Sequence, residues 1–266
     1  MNKQEHLIKT KKEIKNIAIA GKVVSDLLKY LKLQTSTKIS PLDLDKLANE
    51  FIIKSNCKPN FLGYYSYPNT ICVSVNNCLI HGIPTERKFQ DYDLVSIDAG
   101  CSFNGYHADS AISFILKPQG NNLINVKNNI NNLKLKQSLI NCAKNALNLA
   151  INNCKIGIHL GTISWLIYQY VKTFSFHVVK EYGGHGIGNF LHEEPIILNY
   201  GNINTNLKLQ ENMVICIEPM ILATSSKIIL GSDNWSVYSK DKLPTAHYEA
   251  TILITKNGAK VLTSIS

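Results

Sequence analysis

The sequence predicts an α+β protein, with helices covering one face of a mostly antiparallel sheet. Two observations carry this. The order helix, helix, strands occurs twice along the chain, which hints at two pseudo-symmetric halves. The strand-like runs are clustered and joined by short turn signals instead of alternating with helices.

The first half opens with Thr10-x-x-Glu13, a capping-box pattern. Ile14, Ile17, Ala18, Gly21, Val24, Leu27, Leu28 and Leu31 follow at helical spacing. Ser40-Pro41 reads as an N-cap with proline at the first helical position. Leu44, Leu47, Ala48, Phe51 and Ile52 supply the inner stripe of that second helix. Residues 70–80 (TICVSVNNCLI) read as a hairpin turning at Asn76-Asn77, and a second hairpin spans about 94–116. The segment 119–136 is polar and Asn-rich, and reads as a loop insertion. Helices are expected over 137–153 and 160–173, and strands over 196–199, 213–223, 226–230 and 248–255.

The chain has 266 residues, 45% of them hydrophobic, enough for a sizeable core. We expect one catalytic domain over 1–266, with a short basic helical region at 1–35. The net charge of +9 comes from 28 Lys+Arg against 19 Asp+Glu, much of it from Lys3, Lys9, Lys11, Lys12, Lys15 and the Asn-rich segment. A solvated basic face explains it without a polyanion partner, since no stacking aromatics accompany the lysines. Seven cysteines form no C-x-x-C pair and mostly sit in apolar runs, as reduced core cysteines do. The N-terminus lacks an apolar signal core, and no stretch approaches the ~18–20 apolar residues of a membrane span. A soluble, monomeric protein of the cytoplasm is the expectation.

The stretch Ile97-Asp98-Ala99-Gly100-Cys101-Ser102-Phe103-Asn104-Gly105-Tyr106-His107-Ala108-Asp109 carries the first chemical signal. A turn at Asn104-Gly105 sets Asp98 and Asp109 diagonally across two strands; a turn one residue earlier sets them opposite. Either register leaves both carboxylates on one face, within roughly 4.5–8 Å of each other. Apolar residues flank both, and the hairpin holds no Arg or Lys. Such a pair asks for a cation.

Three more candidates stand in unusual company. His185 is surrounded by glycines in Tyr182-Gly183-Gly184-His185-Gly186-Ile187-Gly188, which lets it face a cleft without steric cover. Glu218 sits in Ile215-Cys216-Ile217-Glu218-Pro219-Met220, and Glu249 starts the strand Tyr248-Glu249-Ala250-Thr251-Ile252. Each alone has a plain reading as a loop or strand-end residue, and Glu193 and Glu194 read as solvating a turn. Together, two Asp, two Glu and one His form a hard, oxygen-rich set suited to Mn, Fe, Co or Zn. Five such ligands can hold two ions with a bridging carboxylate, the arrangement of a dinuclear hydrolase.

Five stretches in this order resemble the type I methionine aminopeptidases: LGYYSYPNTICVSVNNCLIHGIP, VSIDAG…NGYHADSA, YGGHGIG…LHEEP, MVICIEPM and HYEATILIT. The resemblance runs from about residue 10 to the C-terminus and implies the pita-bread fold. It implies that Asp98, Asp109, His185, Glu218 and Glu249 hold two divalent ions (Co, Mn, Fe, Zn or Ni), with Asp109 and Glu249 bridging. A bridging hydroxide would attack the carbonyl after the N-terminal methionine, and Glu218 would shuttle the proton. His81 and His192 fall on non-ligand histidines that bind substrate and stabilise the developing oxyanion. Tyr64, Tyr67, Cys72 and Trp235 fall on the methionine pocket. The implied substrates are nascent chains beginning with Met and a small second residue, with the basic surface as a candidate ribosome contact. Leu191, Ala250 and Phe61 depart from the family pattern, with Ala250 standing where a histidine is usual. A prolidase or aminopeptidase P relative, or a non-catalytic RNA- or protein-binding module of the same fold, are the alternatives.

Overall fold

The computed structural model describes residues 7–118 and 126–264. Helices α1 (Lys11–Gln34) and α2 (Pro41–Lys54) precede β1 (Lys58–Pro59), β2 (Ile71–Val75), β3 (Cys78–Ile80), β4 (Leu94–Phe103) and β5 (Tyr106–Ile115). A second pair, α3 (Val126–Asn153) and α4 (Leu160–Lys172), precedes β6 (His177–Val178), β7 (Gly183–Gly186), β8 (Glu193–Leu198), β9 (Val214–Ile217) and β10 (Met220–Leu222). The chain finishes with β11 (Ile228–Leu230), β12 (Val237–Ser239), β13 (Thr245–His247), β14 (Ala250–Thr255) and β15 (Gly258–Val261). The described pairings are antiparallel. The expected α+β class and twice-repeated order are what the chain adopts.

Local signals start the first two helices as expected. The Thr10 hydroxyl accepts from Glu13 N–H while the Glu13 carboxylate accepts from Thr10 N–H, and Ser40 and Asp43 do the same for α2. α1 lays Ile17, Val24, Leu27, Leu28 and Leu31 against β4 and β5, forming one core with α2 and β2. α3 and α4 build a second core on β9 and β14 from Leu139, Ala143, Ala146, Ile163 and Ile167. No helix among the described residues is long and apolar enough to cross a membrane.

Three expectations need correction. Residues 126–136 are helical, the first turns of α3, and not a loop insertion; residues 119–125 lie outside the described residues. Tertiary contacts override the low helix propensity of Asn here. Leu135 packs on the second core, and Lys136 is buried, donating to Asn76 Oδ1 (2.7 Å) and Tyr92 O (2.8 Å). The 70–80 hairpin is the second correction. A turn does fall at Asn76-Asn77, but β2 pairs with β4 and β3 with β12. Asn76 anchors that turn on β4: its N–H donates to Leu94 O and its Oδ1 accepts from Leu94 N–H. The third is Lys9, which belongs to no solvated face; it is 4% exposed and paired with Glu193.

Candidate metal centre and active site

The hairpin that carries the two aspartates takes the diagonal register. Asn104 and Gly105 both have positive φ (50° and 79°) and form a two-residue turn. Asp98 therefore faces Ala111, and Asp109 faces Gly100, which leaves both carboxylates on one side of the ladder. Ala111 is in turn the contact point with the second half of the chain. It exchanges backbone bonds with Glu249, N–H to O in both directions (3.4 and 3.0 Å). Thr251 Oγ1 adds a bond to Asp109 O (2.8 Å) and accepts from Asp109 N–H (3.0 Å). These stitches bring Glu249 beside the aspartates. Glu218 follows β9 and Glu249 precedes β14, each one residue past the Ile217–Ala250 pair at the same end, so the two glutamates are cross-strand neighbours.

His185 lies within β7, not in a loop, the plain reading of a histidine among glycines. The glycines serve the sheet: a Cβ at Gly184 would sit 2.2 Å from Cys216 O, too close for any side chain. His185 Nδ1 bonds to Gly186 O at 2.9 Å, so the neutral ring keeps its proton there and presents Nε2 as a lone pair. That Nε2 is 3.8 Å from Glu218 Oε1 and 3.9 Å from Glu249 Oε1.

These groups fit a divalent ion. Oxygens of Asp98, Asp109 and Glu249 lie within 4.8 Å of one another, as do atoms of His185, Cys216 and Glu249. Among the described residues, Asp98 Oδ1, Asp109 Oδ1 and Glu249 Oε1 are buried with no hydrogen-bond partner. Native interiors rarely leave such atoms orphaned. Burial first, with Glu218 adding to it, pushes the Asp98 carboxyl up to about 6 against the relief from His247. Burial, then neighbouring carboxylates, drive Asp109 and Glu249 well above the ordinary carboxylate range. The Cys216 thiol is in reach too. Burial and the carboxylates hold it protonated, and it contacts Thr251 Oγ1 at 3.3 Å.

His81 and His192 stand at the same hollow. His81 has φ 56°, an uncommon conformation for a non-glycine residue, and its ring meets Tyr182 and Trp235 edge-on at 5.5 and 6.3 Å. Burial lowers both imidazoles to about 4, aided at His192 by His185. Both are neutral at pH 7. Tyr64, whose phenol burial pushes up, bonds through its hydroxyl to His192 Nδ1 at 2.8 Å. With Tyr64 as the donor, the ring proton of His192 lies on Nε2; with Nδ1 as the donor, it lies on Nδ1.

A residue that sequence reasoning missed is His247. It is 2% exposed at the end of β13, with Nε2 3.5 Å from Glu218 Oε2. At that separation it falls short of a well-made hydrogen bond, and among the described residues Nε2 has no hydrogen-bond partner. Burial pushes Glu218 up, but His247, His185 and His192 together bring it below its ordinary value. The signal was available: His247 stands two residues before Glu249 in the HYEA run, on the same alternating face.

One cavity of about 520 Å³ gathers the site. Asp98, Asp109, His185, Glu218, Glu249, His81, His192, Tyr64, Tyr67, Cys72 and Trp235 all line it. Tyr67 and Trp235 meet edge-on at 5.0 Å, and the Tyr67 hydroxyl is spent on Ile71 O and Gly82 O. That leaves an apolar wall. Leu191 and Phe61 complete it, so those two departures sit in the pocket itself. Ala250 lines a separate cavity of about 140 Å³ with Lys144 and Thr263.

The sequence signature of metallopeptidase family M24 matches residues 15–256. The chain belongs to this family of metal-dependent peptidases. Within it, the chain is 47% identical over 256 residues to the methionine aminopeptidase of Mycoplasma capricolum subsp. capricolum, covering 96% of this chain and 97% of that one. It superposes on the crystal structure of methionine aminopeptidase from Thermotoga maritima with a TM-score of 0.88, at 35% identity over 97% and 98% of the two chains. It belongs, within M24, among the methionine aminopeptidases, and its fold is their pita-bread fold. The prolidase of Pyrococcus horikoshii shares the fold at 22% identity (TM-score 0.73), and this chain covers 65% of it.

Proposed function

We propose that the chain removes the N-terminal methionine from newly made proteins by metal-dependent hydrolysis of the first peptide bond. The observation that carries this is the cluster of Asp98, Asp109 and Glu249 carboxylates, with buried oxygens lacking partners among the described residues, lining one largely apolar cavity together with His185. In this reading Asp98, Asp109, His185, Glu218 and Glu249 would hold two divalent ions. The chemistry two such ions supply is a polarised carbonyl and an acidified water.

The protein's own groups do the rest. Tyr67, Cys72 and Trp235 accept the methionine side chain, a thioether matched to soft, apolar walls. His81 and His192, both neutral, offer N–H groups to the scissile amide and to the negative charge growing on its oxygen. In this reading the Tyr64 hydroxyl donates to His192 Nδ1 and leaves that proton on Nε2. A Glu218 carboxylate oxygen takes a proton from the attacking water and returns it to the leaving amine as the C–N bond breaks. His247 beside it favours the ionised form that can act as base.

The protein acts as one catalytic unit, a cytoplasmic monomer, and exposed Lys11, Lys12 and Lys15 of α1 face the ribosome. Unchanged ribosome cosedimentation after charge reversal of those lysines would remove that last element. The main test is metal titration of activity on Met-Ala-Ser beside Ala-Pro and Gly-Pro peptides, with Asp98→Ala in parallel. Cleavage of the methionyl peptide alone, lost in Asp98→Ala, is expected. Preference for the prolyl peptides would support the prolidase-like reading, and no turnover with any divalent cation the binding-module reading.

A further inference from the structure

Lys9 belongs to a run of N-terminal lysines, yet its side chain is 3% exposed against a Glu193 side chain at 7%. The lysine is held from behind. Its own N–H donates to Asn212 O (2.9 Å), and Ile8 bridges Met213, one residue before β9. Glu193 in turn holds the loop ahead of it: Oε1 accepts from Phe190 N–H at 2.9 Å. Gly188 is pressed so close to the ammonium that a Cβ there would sit 2.6 Å from Nζ, and Gly188 O accepts from His107 N–H. The arc 188–192 has no regular secondary structure, and it presents Leu191 and His192 to the cavity.

A buried ion pair is a poor stability device, because desolvating both charges cancels most of their attraction. What it does fix is geometry. The His192 ring bonds to Tyr64 and meets the His185 ring edge-on at 4.3 Å, and Glu193, the next residue, is paired with Lys9. We propose that the Lys9–Glu193 pair is a positioning device for the reaction, holding the 188–193 arc so that His192 meets the scissile bond. This rests on the role given to His192 above. It makes the segment before α1 part of the active-site support, though Lys9 itself touches no substrate.

The test compares Lys9→Met, Glu193→Gln, the double variant, His192→Ala and the triple variant, as metal-loaded full-length proteins assayed well below each melting temperature. Lys9→Met alone should melt earlier, since it strands the Glu193 charge. The double variant should recover thermal stability but keep a kcat reduced by roughly tenfold or more, with KM and calorimetric metal affinity within about twofold of wild type. In the His192→Ala background the two substitutions should cost nothing further, because the pair acts through His192. The proposal is overturned if the double variant regains wild-type kcat with its stability, if the loss lies in metal affinity, or if the losses add in the His192→Ala background. A wild-type rate in His192→Ala is a different failure, overturning the role of His192 itself.

Discussion

Asp109→Asn should stabilise the metal-free protein while destroying its response to metal. The magnitude follows from the crowding of carboxylates. Oxygens of Asp98, Asp109 and Glu249 lie within 4.8 Å of one another, with no cation side chain among the lining residues. Two unit charges at that distance repel by about 3–4 kcal/mol at an effective dielectric near 20. Burial first, with Glu218 beside it, raises Asp98 to about 6 from 3.8, a penalty on its charged form on the order of 3 kcal/mol at neutral pH. Replacing Asp109 by a neutral amide of the same shape removes one charge and supplies a donor to its neighbours. A gain of about 2–3 kcal/mol corresponds to roughly 5 °C in melting temperature for a chain of this size.

The pH dependence has a definite sign. Acids whose folded-state values are raised stabilise the fold fully below their unfolded values, and that contribution is lost as pH rises through the folded ones. The advantage of Asp109→Asn over wild type should therefore be small near pH 4 and grow as pH rises through the raised Asp109 value. Calorimetry in chelator at several pH values reads it directly. Added Mn²⁺ should reverse the order, raising the wild-type melting temperature and leaving the variant nearly still. A metal-free variant less stable than wild type at pH 7.5 would mean that these carboxylates are not held as crowded charges, and the metal-centre argument would fail with it.

Other perturbations separate the parts of the site. His81→Ala and His192→Ala should each lower kcat by roughly 10²–10³-fold, as loss of an oxyanion donor does, with unchanged metal stoichiometry by calorimetry. His247→Ala removes a group that lowers Glu218, so the acidic limb of the kcat/KM profile should move to higher pH; an unmoved limb would separate His247 from the proton shuttle. Gly105→Ala is the control: nothing lies within 4 Å of the added Cβ, and only the left-handed backbone at φ 79° objects. It should cost about 1 kcal/mol in thermal melts and leave the kinetics intact.

What could be read in advance was whatever short-range chemistry controls. Thr10-x-x-Glu13 and Ser40-Pro41 start their helices because a side chain three residues away satisfies the orphan N–H groups, and nothing distant interferes. Asn104-Gly105 turns the hairpin because both residues tolerate positive φ, and period-two alternation then puts Asp98 and Asp109 on one face. Asn76-Asn77 has similar turn chemistry, but its partner Leu94 lies 18 residues on, so the flanking strands left for different sheets. The residues that bring the five ligand candidates together are of this second kind: the Ala111–Glu249 exchange joins positions far apart in the chain, and no local pattern announces it.

Lysines show the limit most sharply. Lys9, Lys11 and Lys12 are the same residue type in the same stretch, yet Lys11 and Lys12 are exposed and Lys9 is sealed against Glu193. Composition cannot tell them apart, because what differs is the partner, 184 residues away. Lys136 repeats the case, drawn inward by Asn76 and the Tyr92 carbonyl. The cost of burying an ammonium is so large that a buried lysine marks a place where the fold needs a charge held still. For Lys9 that place adjoins His192, which is why a segment readable as solvated charge bears on the chemistry of the cavity.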